Sequence, residues 1–140
     1  MNGFLKDDLT VALDEVDRYA SRIVTIYDDL SAIAVEPEVA VSLRARGERH
    51  REALTAFNYA RRAAGQTPEV GDPERAHLQS LWLVLKSAVS GGDSRQRLAD
   101  SLRALDDELR HAVRTARNLD PEPAVRDALD RLMRDLDAAP

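Results

Sequence analysis

Two Glu-x-x-His motifs are the first groups in this 140-residue sequence that could do chemistry: Glu74–His77 and Glu108–His111. Residues three positions apart lie on one face of a helix, so each pair could chelate a single metal ion. Helical bundles with two-metal carboxylate centres combine two such motifs with one glutamate from each of two other helices. The motifs therefore raise the hypothesis of a metal site between helices.

His50 is the third histidine, and it falls inside the apolar line of the second predicted helix. A lone histidine facing a core is usually satisfied by one hydrogen-bond partner, and we expect that partner to be Tyr27 or Tyr19 on the first predicted helix. A role as a metal ligand or as an acid–base group would need carboxylates opposite the ring. Asp17 and Asp28 flank the inward line of the first helix and are the candidates for that role.

The positions of the two motifs favour a structural or solvent-exposed role for both. Glu74 and His77 fall in the first turn of a predicted connecting helix, away from the expected centre of the bundle. Glu108 and His111 flank the apolar line of their helix instead of lying on it. We expect no bound metal. If a metal ion does bind, the candidate ligands are His50, Glu108 and His111.

No grouping of residues predicts an enzyme. The chain has no cysteine, which excludes disulfides, thiolate ligands and a cysteine nucleophile. A serine nucleophile needs a histidine and an acid in register, and neither that arrangement nor an elbow motif is visible. The segment Gly91-Gly92-Asp93 lacks the preceding strand and the Lys-Ser/Thr ending of a phosphate loop, so it predicts a helix break. We identify no catalytic residue and expect no cofactor.

The composition predicts a single all-α domain over residues 1–140. The chain contains 21 alanines and 18 leucines but only six glycines and six prolines, which is a helix-forming mixture. Its net charge of −5 argues against a general nucleic-acid binder, although 18 of its 20 basic residues are arginines. No apolar run is long enough to span a membrane, and the first residues lack a signal-peptide layout. We therefore expect a soluble, cytoplasmic protein.

Apolar residues recur every three or four positions and predict five helices. The helical segments are 5–34, 37–64, 73–90, 94–118 and 122–139. Short connections join the first two segments and the last two, so each pair should form an antiparallel hairpin. The segment 73–90 has the length that a crossover along the bundle requires. The pattern predicts a ferritin-like four-helix bundle of two hairpins linked by this helical crossover.

The distribution of charge supports the same pairing. Counting Asp, Glu, Lys and Arg, residues 1–35 carry a net charge of −4 and residues 36–65 a net charge of +2. Residues 93–118 and 119–140 carry +1 and −3. Each hairpin therefore joins an acidic helix to a basic one. We expect the arginines of the basic helices to form solvated faces and interhelical pairs: Arg44, Arg46, Arg49, Arg51, Arg61, Arg62, Arg103, Arg110, Arg114 and Arg117.

Several segments together carry a family resemblance: Tyr27-Asp28-Asp29 ten residues before Pro37, Arg49-His50-Arg51-Glu52-Ala53-Leu54, Trp82-Leu83-Val84-Leu85-Lys86 followed by Ser90-Gly91-Gly92-Asp93, Asp106, and Asp120-Pro121. They resemble the ferritin-like four-helix-bundle family of bacterial proteins of unknown function, over nearly the whole chain. The resemblance implies the same fold. Arg46 and Leu105 stand where glutamates would be expected, and Ala112 where a tyrosine would be usual. His50 alone is clearly retained, so the resemblance implies a degenerate metal site.

We expect a non-enzymatic bundle that acts by self-association or by binding a protein partner. The leading form is a homodimer through the first helix or through the Trp82 segment, whose run Leu81–Leu85 is apolar on all sides. The alternative is a metal-binding bundle, di-iron or mononuclear, with oxidase- or ferroxidase-like chemistry near His50. A weaker alternative is that the arginine faces bind an acidic protein or nucleic acid.

Overall fold

The computed structural model describes residues 7–34, 36–66 and 94–138. They form four helices and, within these ranges, no strand: α1 (Asp8–Ile33), α2 (Pro37–Ala63), α3 (Ser94–Arg117) and α4 (Pro123–Asp137). The prediction of an all-α bundle is confirmed, and the helix boundaries agree with the expected ones to within a few residues. The predicted crossover helix over 73–90, which includes the Trp82 segment, lies outside the described residues.

Capping residues, prolines and a glycine account for several of the helix ends. The side chain of Asp7 caps α1 by accepting a hydrogen bond of 2.7 Å from the backbone N–H of Thr10. Proline opens both α2 and α4, where its fixed φ suits the first helical turn. Gly65 follows α2 with a φ of +84°, a left-handed conformation that glycine adopts without strain. These signals mark the starts of α1, α2 and α4 and the end of α2.

Two antiparallel hairpins make up the bundle. In the first hairpin, Arg61 near the end of α2 contacts Asp14 near the start of α1, with 2.9 Å between Nη2 and Oδ1. In the second hairpin, Nε of Arg117 at the end of α3 lies 2.9 Å from Oδ1 of Asp130 in α4. In both hairpins the basic helix pairs with its acidic neighbour, as the charge distribution predicts.

The hairpins pack side by side so that each described helix contacts two others. Helix α1 packs against α2 and α3, and α4 packs against α2 and α3, whereas the backbones of the diagonal pairs do not approach each other closely within the described ranges. Residue Arg22 of α1 approaches Glu108 of α3, and Glu52 of α2 approaches Arg131 of α4. Helices α1 and α4 therefore run in one direction, and α2 and α3 run in the other.

The core forms where the four apolar lines meet. The apolar residues that recur every three or four positions along α1 and α4 are mostly buried, and α1 is also buried on a second side at Ala12 and Ile26. The apolar spacing of α3 extends to Leu119, but this residue is 38% exposed because α3 ends at Arg117 and the chain turns. The largest apolar side chains with almost no exposure are Leu13, Val16, Ile23, Tyr27, Phe57, Leu109, Val113, Val125, Leu129 and Leu132.

The arginines were expected on solvated faces and in interhelical pairs, and Arg61 belongs to the second group because it pairs with Asp14 of α1. Nothing in the sequence indicates that Arg61 would have no exposed surface at all. It lies one helical turn after Phe57, on the buried side of α2. Its guanidinium carbon lies over the Phe57 ring, 5.8 Å from the ring centroid. Its Nε also lies 3.1 Å from Oε1 of Gln66. This arginine therefore belongs to the contact between α1 and α2.

None of the helices in the described part of the chain combines the length and the apolar character needed to cross a lipid bilayer.

Candidate functional site

A group of polar side chains lies within the bundle, and every helix contributes to it. We call this group the core polar cluster: Tyr27 from α1, Arg46 and His50 from α2, Asp106 from α3, and Asp135 from α4. Buried polar groups need partners, because an unpaired one costs about 1–3 kcal/mol. The cluster is therefore the part of the core where chemistry or fold specificity is most expected.

The contact between His50 and Asp135 joins the two hairpins. Nδ1 of His50 lies 2.9 Å from Oδ2 of Asp135, and the side chains are only 6% and 13% exposed. The distance is that of a hydrogen bond, but the alignment is not, because Oδ2 is buried without a well-directed donor. The pair is therefore in close contact and Asp135 retains unused acceptor capacity.

The ring of Tyr27 packs against three residues of α2. Its ring stacks on that of His50, with centroids 5.3 Å apart and an angle of 22° between the planes. The guanidinium of Arg46 lies over the same ring at 5.5 Å, a geometry that suits a cation–π interaction. Gly47 allows this approach, because a Cβ there would lie 3.1 Å from the Cβ of Tyr27. Three neighbouring positions of α2 thus depend on one tyrosine of α1.

Burial sets the protonation of the cluster. It lowers the pKa of His50 below its usual value of 6.5, which the carboxylate of Asp135 opposes and the cations Arg46 and Arg49 reinforce. Burial raises the pKa of Asp106 above 3.8, and Arg46 is the main opposing charge. The imidazole is therefore neutral at pH 7, and Arg46 supplies the positive charge among the two carboxylates.

This arrangement suits packing better than catalysis. A neutral imidazole beside a carboxylate can accept or transfer a proton, but His50 is only 5% exposed, which leaves little room for a substrate to reach its ring. Tyr27 or Tyr19 was expected as the hydrogen-bond partner of His50. Tyr27 is a neighbour of the ring, but the contact is stacking, and the polar partner is Asp135.

The candidate metal ligands predicted from the sequence do not come together. His50 faces Asp135 on α4, whereas Glu108 and His111 lie on the outer side between α1 and α3. Glu108 is half exposed, and its Oε2 is 3.6 Å from Nη1 of Arg22. Across residues 7–34, 36–66 and 94–138, no group of three or more His, Asp or Glu side chains is placed to hold a metal ion.

The second Glu-x-x-His motif, Glu74–His77, falls outside the described residues. The other candidates, Asp17 and Asp28, have their own partners: Asp17 accepts a hydrogen bond of 3.3 Å from Asn58, and Asp28 pairs with Arg51. Neither is the polar partner of His50.

Glu108 and His111 instead line an open groove with a volume of about 870 Å³, which we call the α1–α3 groove. Alanines give it a small-residue floor, and two exposed apolar side chains, Val11 at 48% and Leu119 at 38%, lie along it. The groove has the following lining residues: Asp8, Val11, Ala12, Glu15, Tyr19, Ala104, Asp107, Glu108, His111, Ala112, Thr115 and Leu119.

Asp135 is the site residue that the sequence analysis missed. It lies beside the apolar line of α4, three residues after Leu132 and one before Leu136, so periodicity alone marks it as a flanking position. The available signal was its spacing of three from a buried leucine, which Asp127, Asp130 and Asp137 of the same helix do not share. Asp106 was noted only through the family resemblance.

Comparisons with known proteins found no match: no protein-family model matches the chain, and neither does any curated protein or solved structure.

Proposed function

We propose that this chain is a non-catalytic, ferritin-like four-helix bundle that acts by binding a helical surface of a protein in its α1–α3 groove. The ferritin-like part of the proposal is supported by the directions of the helices. Because α2 and α3 run in the same direction, Ala63 at the end of α2 and Ser94 at the start of α3 lie toward opposite ends of the bundle. Two antiparallel hairpins with one long crossover are the plan of that fold class.

The single observation that carries the binding function is the α1–α3 groove. Two antiparallel helices border it, and Ala12 and Ala112 are buried on its floor. Small side chains let a third helix approach closely, so that its ridge of larger residues fits between them. The exposed Val11 and Leu119 would gain burial from such a partner.

The charges of the core polar cluster support a non-catalytic role. Arg46 already supplies a cation beside Asp106, and its guanidinium is fixed over Tyr27. Because the carboxylates of the cluster already have an arginine beside them, a bound metal ion or a charged substrate is not needed to compensate their charge.

A single engineered cysteine tests the groove, because the chain has no cysteine of its own. We would attach a polarity-sensitive fluorophore to Thr115→Cys, which lies in the groove, and titrate with a synthetic amphipathic helix of leucine, alanine and arginine. A shift of the emission to shorter wavelength is expected. The matched control is Thr55→Cys, which is exposed on α2 and should give no shift. A silent label at Thr115 overturns the proposal.

A second candidate function is binding of one metal ion at His50. The observation in its favour is the buried Oδ2 of Asp135, which lies beside the imidazole without a well-directed donor. The residues do not fit a two-metal centre, because His50 and Asp135 are only two ligands and Arg46 brings a positive charge. Elemental analysis of the purified protein tests this candidate. Stoichiometric metal that is lost in His50→Ala would support it, and its absence from the parent protein would reject it.

A further inference from the structure

We infer that the partner of the α1–α3 groove is a basic amphipathic helix, which carries arginine or lysine side chains on both sides of a short apolar ridge. This inference rests on the proposed function, since it names the class of partner for the same groove. Its basis is the charge of the groove lining, the exposure of the carboxylates there, and the length over which the two helices border the groove.

The lining of the groove is acidic on both sides. Asp8 and Glu15 of α1 and Asp107 and Glu108 of α3 contribute carboxylates, and none of the described lining residues is a lysine or an arginine. A cation on either flank of a partner helix therefore meets a carboxylate. The same carboxylates repel an acidic helix and the phosphates of a nucleic acid, because like charges brought together oppose association.

The arginines beside the α3 carboxylates are held outside the groove. Arg110 lies 3.0 Å from Asp107, but its guanidinium also lies 3.1 Å from Oδ1 of Asp137 on α4. Arg22 lies 3.6 Å from Glu108, and its own side chain is only 9% exposed. The side chains of Asp107 and Glu108 are 65% and 50% exposed. Both carboxylates therefore keep an open surface for a cation of the partner.

The α1 carboxylates are also accessible. Asp8 is exposed in the first turn of α1. Glu15 is half-buried, and Nη1 of Arg18, one turn along the same helix, lies 2.5 Å from its Oε1. A partly exposed pair of this kind is weak in water, so a cation of the partner can share the carboxylate. Each side of the groove thus offers at least one carboxylate to the partner.

The apolar part of the groove sets the length of the partner. The helical lining runs from Asp8 to Tyr19 on α1 and from Ala104 to Thr115 on α3, a separation of eleven residues in each helix. At 1.5 Å per residue this is about 16 Å, which matches about three turns of a partner helix. Val11 is 48% exposed between these ends. An apolar ridge of that length covers Val11, while its basic flanks reach the carboxylates.

Three synthetic helices with the same leucine and alanine face test the inference. Their flanking positions are arginine, glutamine or glutamate, and each is titrated into the full chain with a polarity-sensitive fluorophore at Thr115→Cys. The affinity for the arginine helix should exceed that for the glutamate helix by about tenfold or more. Raising the salt to about 1 M should narrow the difference, because salt screens exposed charges.

One substitution locates the preference in the groove. Asp107→Asn should weaken binding of the arginine helix by about threefold and leave binding of the glutamine helix unchanged. The matched control is Asp127→Asn, which makes the same change in net charge at an exposed position of α4 outside the groove. It should leave the affinity for the arginine helix unchanged.

The outcomes separate this inference from the proposed function. If the three helices bind with equal affinity, or the glutamate helix binds most tightly, the basic partner is rejected and the groove function stands. If no helix shifts the emission, both fall. If Asp107→Asn and Asp127→Asn weaken the arginine helix equally, the preference comes from the net charge of the whole chain, and the inference is overturned.

Discussion

Nδ1 of His50 lies 2.9 Å from Oδ2 of Asp135, so one short contact links α2 of the first hairpin to α4 of the second. The two residues are 85 positions apart in the chain, and both side chains are largely buried. Tyr27 of α1 stacks on the face of the same imidazole. One ring therefore contacts side chains of two other helices, and its loss should weaken the contact between the hairpins.

Replacing His50 by alanine should lower the free energy of unfolding by about 2–3 kcal/mol, because it opens a cavity against Tyr27 and removes the polar neighbour of a buried carboxylate. Urea unfolding measures the change. His111→Ala is the matched control, since that histidine is exposed and should contribute within about 0.5 kcal/mol. Equal losses in the two variants would show that the core contact does not stabilise the fold.

Stability should fall as the pH drops below 6.5. Because the folded chain holds the pKa of His50 below that value, the unfolded chain takes up the proton first, and the stabilisation by the neutral imidazole is lost as the pH falls toward the folded pKa. The free energy of unfolding can change by up to about 1.4 kcal/mol per pH unit. Urea unfolding between pH 8 and pH 5 measures it as the difference between the parent and His50→Gln.

Three carboxyl groups have pKa shifts whose effect on stability has the opposite sign. Burial is the largest cause that raises the pKa values of Asp17, Asp29 and Asp106 above 3.8. The stability they contribute is complete below 3.8 and is lost as the pH rises through their folded pKa values. Wherever they titrate, these groups are present in both proteins, so their contribution cancels in the difference. If the parent and His50→Gln have parallel pH profiles, His50 does not titrate as proposed.

Gly47→Ala should destabilise the protein by about 1 kcal/mol, although alanine is the better helix former. The new Cβ would lie 3.1 Å from the Cβ of Tyr27, which is 1% exposed and stacked on His50, so neither group can retreat. Overpacking of this kind costs about 1–3 kcal/mol, which exceeds the helical gain of about 1 kcal/mol. Chemical denaturation measures the net change in the free energy of unfolding.

The matched control for this prediction is Ala45→Gly, two positions earlier on the exposed side of α2. There the smaller residue should cost about 1 kcal/mol through helix propensity alone. If alanine stabilises both positions, the close approach of α1 and α2 at Gly47 is looser than the structure places it.

Asp14→Asn should cost about 3 kcal/mol, because it removes the negative charge 2.9 Å from a guanidinium with no exposed surface. Arg61 already has one buried nitrogen, Nη1, without a hydrogen-bond partner. The control is Asp100→Asn at the exposed pair with Arg103, where the cost should stay under about 1 kcal/mol. A comparable cost at both positions would mean that burial does not strengthen the Asp14 contact.

Local periodicity was sufficient to predict the helices and the inward direction of His50. The line of apolar residues on α2 includes Gly47, His50 and Phe57, and all three are buried. The spacing of three and four residues depends only on the geometry of one helix, so a single sequence carries it. For the same reason Val125 and Leu136 of α4, which follow the same spacing, lie on its buried face.

Partners across helices could not be predicted in the same way. The contact of His50 with Asp135 depends on how far α4 is rotated and shifted along α2, and that is decided by packing of the whole core. The burial of Arg61 is a similar case. The long side chain of an arginine one turn after Phe57 can extend into solvent or lie across the core. Only the position of Asp14 on α1 decides between the two.

The alternation of helix direction has an electrical consequence. Each helix has a macrodipole with about half a positive charge at its N-terminus and half a negative charge at its C-terminus. Around the square formed by α1, α2, α4 and α3, every neighbour is antiparallel, so positive and negative ends alternate at both ends of the bundle. The axial moments largely cancel. An electric field or a charged surface would therefore orient this protein mainly through its side chains.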